Sequence, residues 1–176
     1  MNQITHTHQQ IMNENAYPFT LSRTEFRYEF VSISAKKEVR KIVLLTETAV
    51  SKIYNLALLD LLENGELSDI SETNNDDFKI VISTVIQIIN NFLDQNHHCF
   101  VIFSGSDSRR HRLYRIIISR ELTEISRKFV VLGVNNDTPY PFEIDTAYEF
   151  YENSKKKCQW FNSYRRTNCS KKIRQS

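Results

Sequence analysis

In the stretch from Phe100 to Ile125, FVIFSGSDSRRHRLYRIIISRELTEI, guanidinium groups follow directly on a small polar turn. An apolar run of strand character, Phe100 to Phe103, breaks at Ser104-Gly105-Ser106-Asp107, and helical spacing carrying Arg109, Arg110, Arg112 and Arg115 takes over. Strand, tight turn and helix in that order aim the free N–H groups of a first helical turn at one point, where the helix dipole adds partial positive charge. Ser106 or Asp107 is placed to cap those N–H groups, and Gly105 permits a backbone that a Cβ would obstruct. Cations beside such a turn make an anion the natural ligand. The expected anion-accepting set is Ser104, Gly105, Ser106, Arg109, Arg110 and Arg112, with Tyr114 packing beneath. The same pattern also describes a capped helix with a solvated cationic face, and nothing in the stretch names the anion.

A second candidate lies near the C-terminal end, where Trp160, Phe161 and Tyr164 are interleaved with Lys155, Lys156, Lys157, Arg165 and Arg166. Cations for phosphates and rings for base stacking describe a nonspecific grip on single-stranded nucleic acid. The competing reading is a solvated tail whose aromatic residues fold back onto the domain. Cys99 follows His97-His98 directly, yet neighbours on a strand point to opposite faces, which separates a thiol from an adjacent imidazole. His111 is a candidate base or a hydrogen-bonded surface residue. His6 and His8 have no acidic or cysteine partner nearby, and Cys99, Cys158 and Cys169 lack CxxC spacing. No metal, cofactor or disulfide framework is expected.

The elements that must position these residues belong to a single folded unit. The 176 residues carry 40% hydrophobic and 25% charged side chains, with 11 Phe and 8 Tyr to supply large buried areas, a balance that excludes disorder throughout. The formal charge of +2 hides an asymmetry. Eight basic residues and no acidic one follow Ser154, leaving 15 basic against 21 acidic residues before it, a body of net −6. The N-terminus lacks a positive region followed by an apolar run, and no stretch reaches the roughly 18 apolar residues of a membrane span. The expected compartment is therefore cytoplasmic, with no membrane partner.

Residues 1–22 are polar and read as a flexible arm. From Phe26 the chain alternates, with Phe26, Tyr28 and Phe30 on one face and Arg27 and Glu29 on the other, the period of a half-buried strand over about 25–34. Val39 to Leu45 and Ile53 to Leu62 give two further strands, and their short connections make an antiparallel meander. Thr73-Asn74-Asn75-Asp76-Asp77 then opens a helix in which Phe78, Val81, Ile82, Val85, Ile88, Ile89 and Phe92 form one stripe. After the strand at Phe100 comes the arginine-bearing helix, with Leu113, Tyr114, Ile117 and Ile118 inside and a break near Ser119. Phe129 to Val134 is a strand that closes a parallel, right-handed β-α-β unit. Asn135 to Pro139 is a loop, and Phe142 to Tyr151 fits either a strand or a short helix. The order β-β-β-α-β-α-β predicts an α+β domain over 23–154 with a mixed sheet, followed by a basic tail over 155–176.

At Phe26–Ser34, Asn74–Thr84 and Phe103–Tyr114 the chain resembles a family of small uncharacterised bacterial proteins known only as a domain of unknown function. The matching residues are Tyr28 to Ile33 for a strand like YEFVSI, then Asn74, Asn75, Asp77, Lys79 and Val81 for a helix start. Ser104, Gly105, Ser106, Arg110, Leu113 and Tyr114 match a TGSxxxRxxLY-like segment. The resemblance implies a fold and no known activity. The chain is also similar, in the order of its later elements and in the Leu113-Tyr114 pair, to the acetyltransferases that use acetyl-coenzyme A. That likeness implies an enzyme with a glycine-bearing pyrophosphate loop before the first helix, where this chain has Thr73 to Asp77 and no glycine. A weaker likeness to ribonuclease H-like domains implies a carboxylate metal site, for which Asp60, Asp107 and Asp145 are the available acids. The expectation is a non-enzymatic binding module for phosphate or nucleic acid, with an acetyltransferase-like enzyme and a partner-binding protein as alternatives.

Overall fold

A computed structural model describes residues 16–22, 25–35, 37–68 and 77–155. The elements run β1 (Phe19–Ser22), β2 (Phe26–Ile33), β3 (Glu38–Glu47), β4 (Ile53–Leu61), β5 (Leu67–Ser68), α1 (Phe78–Gln95), β6 (Phe100–Phe103), α2 (Ser108–Lys128), β7 (Phe129–Asn135), β8 (Thr138–Pro141) and β9 (Phe150–Lys155). They form one mixed sheet in the order β1-β2-β3-β4-β6-β9-β7-β8, with β5 paired to β4. Every pairing is antiparallel except β4 with β6, which run parallel and are joined through α1. The fold is α+β, as the sequence predicts.

Register explains which side of the sheet is buried. Tyr28, Val43 and Leu58 stand opposite one another, as do Phe26, Leu45 and Leu56. On β6, β9 and β7 the same face carries Val101, Asn153 and Val131. The stripe of α1, with Val81, Val85, Ile88, Ile89, Phe92 and Leu93 buried, covers this face, and Ile118 and Ile125 of α2 complete the core. Fully burying side chains of this kind contributes about 1.5–3 kcal/mol each, so this layer is the main source of stability. A buried ion pair lies inside it: Lys41 Nζ meets Asp60 Oδ1 at 2.6 Å with both side chains buried. Asp77 precedes α1 without capping it through its side chain. Its carboxylate instead accepts from Ser32 Oγ (2.5 Å) and Tyr17 OH (2.8 Å), which ties the helix start to β2 and to the chain before β1.

Several expectations are corrected. Phe19–Ser22, expected within a flexible arm, is strand β1 on the edge of β2. β6 and β7 run in the same direction, as a β-α-β unit requires, but β9 inserts between them and pairs antiparallel with both. The genuine parallel pair is β4 with β6. Residues 142–149 are neither strand nor helix, and β9 follows them. The loop expected at 135–139 is a tight hairpin, in which Asn136 (φ 48°) and Asp137 (φ 54°) take the left-handed backbone that a two-residue turn demands and β8 follows. α2 continues through Ser119 without a break, and Leu113 is 37% exposed rather than part of the inner stripe. Lys155, assigned by its charge to the tail, ends β9 instead. Its Nζ meets Asp94 Oδ1 and Asn90 Oδ1 at 2.7 Å each and lies 5.3 Å from the Phe129 ring.

The opposite face carries Ile42, Leu132, Val134 and Glu152, all buried. Glu152 stands between Ile102 and Leu132 in register. Burial in apolar surroundings pushes its carboxyl up to about 7 from the usual 4.5. Below about pH 4.5 the group is neutral in both native and unfolded chains. Between there and about pH 7 the unfolded chain ionises while the native one keeps its proton, so stability falls as pH rises and levels off above. The expected loss is about 3 kcal/mol. Urea midpoints across this range check it: Glu152→Gln flattens the decline.

Candidate functional site

The end of β6, the start of α2 and the segment before β9 surround an open basin of about 490 Å³. One wall is Ser104 to Ser108, the other is Ala147 to Glu149, and His111, Arg112 and Arg115 of α2 face in between. The turn is as sharp as its glycine suggests. A Cβ on Gly105 would stand 2.1 Å from the His111 nitrogen and 2.6 Å from its Cα, so only hydrogen fits against this part of the helix. Asp107 is the N-cap, and its Oδ1 accepts from the Arg110 N–H at 2.8 Å.

His111 holds the two walls together. Gly105 N–H donates to its Nδ1 (3.3 Å), and its Nε2 lies 2.7 Å from the Tyr148 carbonyl oxygen. A ring that accepts at Nδ1 donates at Nε2, so one neutral tautomer satisfies both contacts. The ring also stacks on Tyr151 at 5.0 Å and 17°. Both nitrogens are thereby engaged within the fold. Tyr148 is fixed in turn, because its ring lies over Gly133, where a Cβ would approach ring atoms to 2.2 Å. Tyr148 OH also accepts from the Glu143 N–H at 3.0 Å. Burial raises the Tyr151 hydroxyl despite the opposing Arg115 charge, and that buried hydroxyl has no hydrogen-bond partner.

The arginines do not converge as a group. Arg110 is turned back on its own helix start, donating to Ser106 Oγ (2.9 Å) with Nε 3.9 Å from Asp107 Oδ2. Arg109 does not line the basin, whereas Arg112 and Arg115 do. Among the described residues neither of those two has a carboxylate within 4.0 Å. The two acids at the rim are engaged elsewhere, Asp107 as the cap and Glu149 through Oε1, which accepts from the Asn136 N–H at 3.2 Å. Ser104, Gly105 and Ser106 lie where the sequence places them. Tyr114 does not. Its ring packs edge-on against Phe103 (5.8 Å) on the side of α2 facing α1, and burial raises its hydroxyl. Asp107, Ser108, His111, Arg115 and the wall at Ala147–Glu149 line the basin and are absent from the expected set; the first four are close in sequence to its members, whereas the wall has no sequence signal.

Other candidates are dispersed. Asp60 is paired with Lys41, Asp107 caps α2, and Asp145 sits in the loop before β9, so no carboxylate cluster forms. Among the described residues no group of His, Cys, Asp or Glu is arranged to hold a metal, and no helix is long and apolar enough to cross a membrane. Lys156, Lys157, Trp160, Phe161, Tyr164, Arg165 and Arg166 lie outside the described residues, as do His6 and His8.

No curated protein and no solved structure matches this chain. A family model does, over residues 13–156, which takes in every strand and helix described above. The chain therefore belongs to the family of unknown function DUF6934.

Proposed function

We propose that the protein is a binding module for a compact phosphate-bearing ligand, seated in the basin between the start of α2 and Ala147–Glu149. One observation carries the reading: Arg112 and Arg115, without carboxylate partners among the described residues, face the same open basin as the hydroxyls of Ser104, Ser106 and Ser108. Guanidinium groups neutralise and orient phosphate oxygens, and serine hydroxyls and turn N–H groups supply further donors. Titration with pyrophosphate and with a short oligonucleotide, each at two salt concentrations, tests it. Arg112→Ala and Arg115→Ala are expected to weaken pyrophosphate binding by about tenfold each, in keeping with about 1.5–3 kcal/mol for a charged hydrogen bond, while Arg109→Ala changes little. Absent binding, or binding indifferent to Arg112 and Arg115, ends the proposal. Tight oligonucleotide binding with a steep salt slope moves it toward nucleic acid.

A second reading, an acetyltransferase-like enzyme using acetyl-coenzyme A, is favoured by the order β2-β3-β4-α1-β6-α2-β7, interrupted by the two-residue β5 before α1, in which those enzymes resemble this chain. Coenzyme A in the same assay separates the two. A stabilisation that survives loss of Arg112 and Arg115 favours the enzyme. At 100 times its dissociation constant a ligand stabilises by about 2.7 kcal/mol, well within reach of a melting experiment.

A further inference from the structure

α1 and α2 cover the same face of the sheet without packing closely on one another. Beneath them β4 and β6 pair only from Ile53–Asn55 to Phe100–Ile102, and on that side of β4 only Asp60 and Leu61 pair with β5. The outcome is a groove floored by Leu56 and Leu58, walled by Ile82 and Ile86 of α1 and by Tyr114 and Ile117 of α2, with a void of about 60 Å³. Asn153 of the central strand β9 also lines it. That side chain is 5% exposed and its Oδ1 has no hydrogen-bond partner.

Two costs coincide here. An unfilled apolar space forfeits dispersion contacts from its lining, and a buried amide oxygen without a donor carries its full desolvation penalty. Water relieves neither well, because a buried water needs two to four polar partners and the otherwise apolar lining offers only the Asn153 amide and the Tyr114 hydroxyl. A slender apolar molecule with an N–H or O–H donor at one end relieves both together. We propose that the groove between α1 and α2 is a binding site for a small aliphatic ligand carrying one compact polar head, a primary amide or an alcohol, that donates to Asn153 Oδ1. The groove shares no lining residue with the basin at the start of α2, so this proposal stands independently of a phosphate ligand there.

The test is titration of the full chain with butanamide, hexanamide and octanamide, with thermal melting in parallel. Affinity rises with chain length until the groove is filled. Asn153→Leu fills space and removes the orphaned oxygen, so it melts higher than the native chain yet binds hexanamide at least tenfold more weakly. Ile86→Phe, which narrows the groove and leaves Asn153 in place, weakens binding as well and keeps the test open if the first variant folds poorly. Arg112→Ala leaves amide binding unchanged, separating this site from the basin. The proposal is overturned if the native chain binds none of the three amides, or if both groove variants bind them as tightly as the native chain does.

Discussion

Gly105→Ala is expected to unseat the start of α2 and to lower stability by roughly 3 kcal/mol, at the upper end of what overpacking usually costs. Side chains can rotate away from an added methyl, but backbone cannot, and the atoms that a Cβ would meet are the nitrogen and Cα of His111 and the carbonyl carbon of Arg110. Relief requires the helix to retreat from β6. Retreat breaks the Gly105 N–H bond to His111 Nδ1 and, through His111, the contact to Tyr148 that closes the basin. Denaturant midpoints measure the loss, and Gly65→Ala is the comparison. Gly65 has φ +84° with nothing within 4 Å of a built Cβ, so it reports backbone strain without crowding, about 1 kcal/mol. Equal losses at the two glycines would mean that the close approach at Gly105 does not exist.

The ion pair between Lys41 and Asp60 gives the second large effect. Asp60→Ala removes the carboxylate that Lys41 Nζ meets at 2.6 Å, and breaking a buried pair of this kind costs about 3–5 kcal/mol. Removing both charges is a different matter. Lys41→Met with Asp60→Leu eliminates two desolvation penalties along with the attraction and replaces them with apolar contact, so the double variant is expected near native stability. Equilibrium unfolding of the single and double variants forms a cycle that isolates the coupling. A double variant as unstable as Asp60→Ala would show that contacts other than the pair dominate at this place.

The parts of the fold legible in the sequence are those whose signal is local. The stripe of α1 holds from Val81 through Phe92, though Phe78 at its expected start is exposed, and the alternation of β2 names its inner face correctly, because period alone decides which residues share a side. β9 has no such signal. Phe150-Tyr151-Glu152-Asn153-Ser154-Lys155 is polar in four positions of six, and it is a strand because β6 and β7 each offer it an unpaired edge. Charge drew the tail boundary just before Lys155, yet that lysine is held by Asp94 and Asn90 on α1, far away in sequence. The site divides in the same way. Ser104 to Asp107 was readable because strand, glycine and cap are neighbours in the chain. Which arginines face the basin depends on the rotation of α2, and Leu113 is a poor guide to it, since the buried centre of that helix is at Ile118 and Ile125. The wall at Ala147–Glu149 carries no chemical signature and is brought to the site by long-range contacts, the Tyr148 carbonyl to His111 and the bonds of Ala147 and Glu149 to Asn135.

The place of β9 bears on how the molecule comes to be assembled. A nascent chain leaving the ribosome has made β6 and β7 before β9 exists, so both present unsatisfied backbone edges on either side of a vacant lane until the final described strand arrives. Edges of this kind recruit strands from other chains. Premature termination before Phe150 would therefore yield a product prone to self-association, with β7 and β8 unable to join the rest of the sheet.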